Sequence, residues 1–149
     1  MSSNHLKFSR IGGGLTTKII DGKFPDYRSV ISQNLTQAVI SNRLELYDVL
    51  VRAAVLTNEK YRGVRLMVEP GGLKVTAHNP DQEEASDEIE VTYSGEQIEI
   101  GFNVTYLMDA LRAISGDKVE VRLEDGSSGC LLRSPGDETT QYLIMPMRL

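Results

Sequence analysis

The side chains able to do chemistry are few in this chain and stand far apart. His5 and His78 are its two histidines, and neither has further ligands at the spacing a metal site requires. His78 reads as a turn residue ahead of Asn79-Pro80. Cys130 is the single cysteine, so neither an internal disulfide nor a cysteine zinc cluster can form. It has no histidine near it in sequence and reads as a small buried apolar residue. Gly12-Gly13-Gly14 lacks the Lys-Ser/Thr of a phosphate loop and opens no helix. Gly126-Ser127-Ser128-Gly129 holds serines, but no nucleophile turn into a helix follows.

The densest charge is Asp81-Gln82-Glu83-Glu84-Ala85-Ser86-Asp87-Glu88, continuing to Glu90. Paired carboxylates here could serve acid–base chemistry or a divalent cation. A basic partner edge could dock on them, or they could form a solvated strand edge that deters unwanted pairing. A small hydrolase built on Glu83 and Glu84 would need a base, nucleophile or metal set converging on them, and the sequence offers none. Catalytic residues, metals and cofactors are therefore not expected.

The opposite chemistry closes the chain. Tyr142-Leu143-Ile144-Met145-Pro146-Met147-Arg148-Leu149 is an apolar run at a terminus, where most chains turn polar and mobile. Pro146 favours the end or edge of a strand, having no donor for a ladder. Flexible methionines beside a rigid proline suit a surface accepting apolar ligands of varied shape, while an ordinary last core strand is the plainer alternative.

The elements that must position these residues follow from periodicity. His5–Ser9 and Leu15–Ile20 alternate around Ile11-Gly12-Gly13-Gly14, a hairpin pattern, and two strands alone are marginal in water. Asn42 and Glu45 have capping-box spacing ahead of Leu46, Leu50, Ala53, Ala54 and Thr57, which predicts a helix over 43–58 with an Asp48–Arg52 pair on its polar side. Alternation predicts strands at 64–68, 73–77 and 87–93, the last with Ile89, Val91 and Tyr93 on one face. A strand at 97–103 then leads into a helix over 104–115, with Leu107, Ala110, Leu111 and Ile114 inward and Gly116 as stop. Strands at 119–123, 129–133 and 142–147 complete a second strand-helix-strand-strand-strand unit. The expected fold is α+β, a duplicated β-α-β-β-β unit with two helices backed by antiparallel sheets. Arg43, Arg52 and Arg112 lie on the polar sides of the helices, each beside acids (Glu45, Asp48, Asp109).

The chain has 149 residues, 40% hydrophobic and 25% charged, with net charge −5. That is one domain by size, with room for a fragment of another. No run reaches the roughly 18 apolar residues of a membrane span, and the first residues lack the basic and apolar regions of a signal peptide. A reducing, cytoplasmic setting is the expectation. Net acidity disfavours bulk nucleic-acid binding but leaves a locally basic face open.

Several blocks together are more specific than any one motif. Phe24-Pro25-Asp26-Tyr27, the stretch Arg52–Leu66, Asn79–Ala85, Gly101–Tyr106 and the ending Met145-Pro146-Met147-Arg148-Leu149 occur in order. They resemble the bacterial beta sliding clamp, the beta subunit of DNA polymerase III. The likeness covers 1–27 as the end of the family's second domain and 28–149 as its third, C-terminal domain. It implies a non-enzymatic protein in which two three-domain subunits close head-to-tail around double-stranded DNA, without reading its sequence, and tether the polymerase.

The resemblance also implies roles for individual residues. Arg52 and Arg112 would face DNA phosphates. Pro25, Val30, Asn103, Tyr106, Leu143, Met145, Pro146, Met147 and Arg148 match the pocket that takes short apolar peptides from DNA polymerase III, other polymerases, the clamp loader and repair proteins. Val55, Leu56, Glu83, Glu84 and Asp87 match the subunit interface, where Ser86 stands in place of a frequent acid. The family's first domain and most of its second have no counterpart here. The resemblance therefore implies a homodimeric ring that is incomplete in this chain, and leaves open a standalone peptide-binding or regulatory fragment that cannot encircle DNA alone.

Overall fold

The structure, a computed structural model, describes residues 4–23, 26, 28, 31, 35–57, 62–78 and 83–148. Expectations resting on Pro25, Val30, Asp81 or Gln82 lie outside the described residues. The chain divides into two compact units, Met1–Val30 and Ile31–Leu149.

The first unit carries a hairpin, β1 (His5–Arg10) and β2 (Gly13–Lys18). Gly12 turns it at φ +85°, a left-handed conformation that glycine adopts without a Cβ clash. Ile19 and Ile20 were expected in the second strand, but it begins earlier, at Gly13, and stops at Lys18.

The second unit runs β3 (Gln37–Asn42), α1 (Arg43–Leu56), β4 (Gly63–Glu69), β5 (Gly72–His78) and β6 (Glu84–Glu90). It then repeats as β7 (Ile98–Asn103), α2 (Val104–Ala113), β8 (Lys118–Leu123), β9 (Cys130–Arg133) and β10 (Tyr142–Ile144). This is the duplicated α+β unit, and its first strand, which periodicity left without bounds, is β3.

The sheet order was not legible from periodicity. One antiparallel sheet is β6-β5-β4-β7 and the other is β10-β9-β8-β3. Each repeat therefore gives its first strand to the sheet of the other. The two sheets also meet at two seams. Ile40 and Thr92 exchange main-chain hydrogen bonds of 3.0 and 2.8 Å, and the Met147 N–H donates to Gly101 O at 2.9 Å. Ile40 and Gly101 each stand two residues before a helix N-cap, so the seams occupy equivalent places in the repeat.

Both helices start on asparagine. Asn42 Oδ1 accepts from the N–H groups of Leu44 and Glu45 at 3.0 and 3.1 Å, and Asn103 Oδ1 from Thr105 N–H at 2.9 Å. These satisfy amide donors that a first turn leaves without partners. The helices end earlier than the sequence suggests, and tertiary bonds account for the second. Arg43 donates to Leu111 O at 3.0 Å and to Gly116 O at 2.6 Å, so the Leu111 carbonyl that a longer helix would pair with Ser115 is taken by the other helix's first residue. Arg43 is thus a clip between the repeats, not a free cation on a polar face. In α1, Thr57 returns both its N–H and Oγ1 to Ala54 O.

Leu46, Val49, Leu50 and Ala53 of α1 and Val104, Leu107, Ala110 and Leu111 of α2 are buried against the sheets. Phe102, Ile100, Leu50, Leu111 and Leu132 are among the largest side chains fully enclosed. Val49 joins the predicted stripe, fully buried beside Leu46, Leu50 and Ala53. The third strand begins at Glu84 instead of Asp87 and ends at Glu90, yet Ile89, Val91 and Tyr93 are all buried as expected. Beyond Glu90 the chain still bonds the β4–β5 turn, Val91 N–H donating to Gly71 O at 3.0 Å and Gly71 N–H to Tyr93 O at 3.2 Å, while Thr92 between them pairs with β3 across the seam.

Cys130 is fully buried and burial pushes its thiol up to about 12. In the folded protein it is expected to resist alkylation at pH 8 and to react fully once denatured; prompt native labelling would contradict its burial.

A buried ion network joins β8 to β9. Arg133 Nε donates to Glu120 Oε2 at 2.9 Å, and Arg122 Nε to Oε1 at 2.5 Å. Burial raises the pKa of Glu120, but the hydrogen bonds and charges of Arg133 and Arg122 outweigh it and leave the group below its ordinary value. A carboxylate depressed by folding stabilises above its unfolded pKa and loses that contribution as pH falls through the folded one. Stability should therefore decline from about pH 5 downward. Glu120→Gln should cost about 3 kcal/mol by urea unfolding at pH 7, since it leaves the buried Arg133 only the exposed Glu138, at 3.9 Å, as counter-ion, and should flatten that acid limb.

Candidate functional site

The end of the chain divides between core and surface. Ile144 is buried, and Leu143 is half-buried in β10. After Ile144 the ladder stops, as Pro146 requires, and Met145 and Met147 are 59% and 37% exposed. The strand therefore closes three residues short of the predicted Met147. The tail does not fray: Met147 N–H is held by Gly101 O of β7. That bond places it beside the β7–α2 junction, where Asn103 caps the helix and Tyr106 stands 61% exposed.

The β8–β9 turn completes the neighbourhood. Asp125 Oδ1 accepts from Ser127 N, Ser127 Oγ and Ser128 N at 2.8, 2.9 and 2.7 Å, and these bonds, led by the Ser127 N–H, hold its carboxyl down at about 2. A Cβ on Gly126 would press on Glu99 O of β7 at 2.5 Å, and one on Gly129 would meet Ile144 O at 3.1, Met145 Sδ at 3.2 and Leu143 Cδ1 at 3.3 Å. Gly129 thus sets how closely the turn approaches the tail. The sequence pattern made Gly129 only the first residue of a strand over 129–133, which in fact begins at Cys130, because its role depends on contacts with residues 143–145.

Of the predicted pocket, Asn103, Tyr106, Leu143, Met145, Pro146, Met147 and Arg148 fall within this part of the fold, with Pro146 half-buried and Arg148 exposed. Pro25 and Val30 lie outside the described residues. The surface is apolar and sulfur-rich with a phenol and a guanidinium, chemistry suited to seating side chains. Among the described residues, no group of three or more His, Cys, Asp or Glu could hold a metal ion.

The predicted interface residues surround the β6 edge. Val55 is 80% exposed, Leu56 half-buried, and Glu83 and Glu84 exposed. Asp87 has a partner within the chain: Arg52 donates to its Oδ2, with nitrogens at 2.6 and 2.7 Å. Arg52 therefore pairs with Asp87 and not with Asp48, because α1 packs on the sheet that ends in β6. One residue assigned to DNA and one assigned to the interface are the two ends of a single ion pair. Arg112 is also engaged. It donates to Tyr47 Oη at 2.8 Å, lies 5.4 Å from that ring's centroid, and approaches Asp109 at 3.6 Å.

No described helix is long and apolar enough to cross a membrane. The family profile of the DNA polymerase III beta subunit, C-terminal domain, matches residues 28–148. The beta sliding clamps of Pseudomonas putida and Escherichia coli K12 are 42% and 45% identical to the whole chain. The chain spans about 41% of the length of those relatives. A Pseudomonas aeruginosa DNA polymerase sliding clamp solved with ligand superposes with a TM-score of 0.88 at 41% identity, covering all of this chain and 41% of that one. A Bartonella birtlesii sliding clamp bound to griselimycin gives 0.89 at 34%, covering all of this chain and 40% of that one. Fold, repeat and sequence agree, and the chain belongs to the bacterial beta sliding clamp family, whose C-terminal domain it contains.

Proposed function

We propose that this chain supplies the peptide-binding part of a beta sliding clamp, the processivity factor that tethers DNA polymerase III. The observation that carries this reading is the tail. Two methionines stand exposed on a segment that is nevertheless fixed to β7, next to an exposed tyrosine. An apolar surface held in place and left uncovered loses little entropy when a ligand covers it. Leu143, Met145 and Met147 would receive Leu or Phe side chains, with Tyr106, Asn103, Pro146 and Arg148 at the margin. Partners would be segments of DNA polymerase III, other polymerases, the clamp loader and repair proteins. The role is non-enzymatic, needs no cofactor and belongs in the cytoplasm.

In this reading residues 1–27 are the end of the family's second domain and 28–149 its third. Val55, Leu56, Glu83, Glu84 and Asp87 would face a neighbouring subunit. Arg52 and Arg112 would lie toward double-stranded DNA, and their existing partners favour weak, exchangeable phosphate contact over tight binding. A ring closed by a heterologous contact needs both complementary patches. The 149 residues taken alone would carry one of those patches.

Two measurements test this. Met147→Ala should weaken binding of a short Leu/Phe peptide by about 1–2 kcal/mol, roughly 5- to 30-fold, with the urea midpoint unchanged; equal affinity would remove the site. On nicked circular DNA with a clamp loader, the chain alone should not be retained. Retention lost on linearisation would show that it closes a ring.

A further inference from the structure

Sulfur is distributed unequally over this fold. Of the five methionines, Met67, Met108, Met145 and Met147 fall among the described residues. Met108 is half-buried on α2 and packs against the core. Met67 is half-buried on β4, and its Sδ accepts a hydrogen bond from Gln97 Nε2 at 3.1 Å. Cys130 is fully buried, and burial keeps its thiol protonated, so it offers no thiolate to an oxidant. Among the described sulfur residues only Met145 and Met147 are exposed. They stand two positions apart, on the segment read above as the peptide surface.

Neither of these side chains holds that segment in place. Ile144 supplies its core contact, and β10 takes its register from Tyr142, Leu143 and Ile144. Beyond them the tail is fixed by its main chain, through Met147 N–H and Gly101 O. Met145 Sδ lies beside Gly129, where a Cβ would come within 3.2 Å of it, so the neighbouring residue has no side chain with which to cover the sulfur. Oxidation at such a position changes the chemistry of the surface, because methionine sulfoxide is polar where the thioether is apolar. A Leu or Phe side chain seated on the sulfoxide buries its oxygen without a donor, and burying an unpaired polar group opposes binding.

We propose that Met145 and Met147 form an oxidative switch: hydrogen peroxide converts them to sulfoxides, and the surface then releases apolar peptides while the fold persists. The switch rests on the peptide-binding reading given above. At each sulfur an electron pair attacks one peroxide oxygen, and the S–O bond forms as the O–O bond breaks. The departing hydroxide takes the proton of the transferred oxygen and leaves as water. Sulfur loses two electrons and the peroxide gains them. A dithiol-dependent sulfoxide reductase resets the surface, the dithiol becoming a disulfide as the oxygen leaves as water. A seated peptide covers both sulfurs, so unoccupied chains are modified first.

Treating the full chain with hydrogen peroxide, locating the sulfoxides by mass spectrometry and titrating with a short Leu/Phe peptide tests it. Oxygen should enter Met145 and Met147 before Met67 and Met108. Affinity should then fall about tenfold with the urea midpoint unchanged. Bound peptide should slow oxidation of the two tail methionines and not of Met67. In Met145→Leu with Met147→Leu, whatever its starting affinity, peroxide should leave that affinity where it was. Met67→Leu with Met108→Leu should keep the full loss. Oxygen entering Met67 or Met108 first, a loss that persists in the tail leucine pair, or a urea midpoint that falls with the affinity overturns the proposal. Sulfoxides at both tail positions with affinity unchanged overturn it too, and leave the peptide-binding reading standing. A chain that binds no peptide before treatment overturns both.

Discussion

The exchange of first strands between the two repeats is the constraint on which the rest of the structure depends. β3 lies beside β8 and β7 beside β4, so neither repeat can complete a four-stranded sheet without the other. Non-local pairing of this kind must overcome the entropy of closing long loops before it gains any hydrogen bonds. In return it couples the halves into one core. Ile100 and Phe102 of β7 pack among residues of the first repeat, and Val39 of β3 among those of the second. The same crossing brings each helix start against the far end of the other repeat's linking segment: Arg43 N–H meets Asp117 O, and Val104 N–H meets Arg62 O, both at 2.8 Å.

That arrangement decides what the helix arginines can do. Arg43 closes the end of α2, Arg52 meets Asp87, and Arg112 meets Tyr47 and Asp109. Exposed pairs of this sort contribute little to stability, but they lower the free positive charge a nearby phosphate would encounter.

The two seams show how one design yields two surfaces. At the first, Ile40 and Thr92 bond reciprocally and the chain continues into the second repeat. At the second, a single bond from Met147 reaches Gly101. Equivalent positions in the repeat therefore carry a reciprocal pair of bonds in one half and a single bond beside exposed methionines in the other. The asymmetry comes from Pro146, which ends the ladder, and from Gly129, which lets Leu143 and Met145 approach the turn.

By itself, the sequence determined the local elements and the family. Alternation and helical spacing placed both helices and nearly every strand within a few residues, because side-chain period is a property of neighbours along the chain. The spacing of Asn42 and Glu45 marked a helix start, and the blocks ending in Met145–Leu149 identified the clamp. Tertiary structure alone decided the strand exchange, the helix end made by Arg43, the Arg52–Asp87 pair and the closeness of Gly129 to the tail. Each of these joins residues dozens of positions apart or depends on an approach of a few tenths of an ångström. Periodicity carries no information about which face meets which, and only packing settles it.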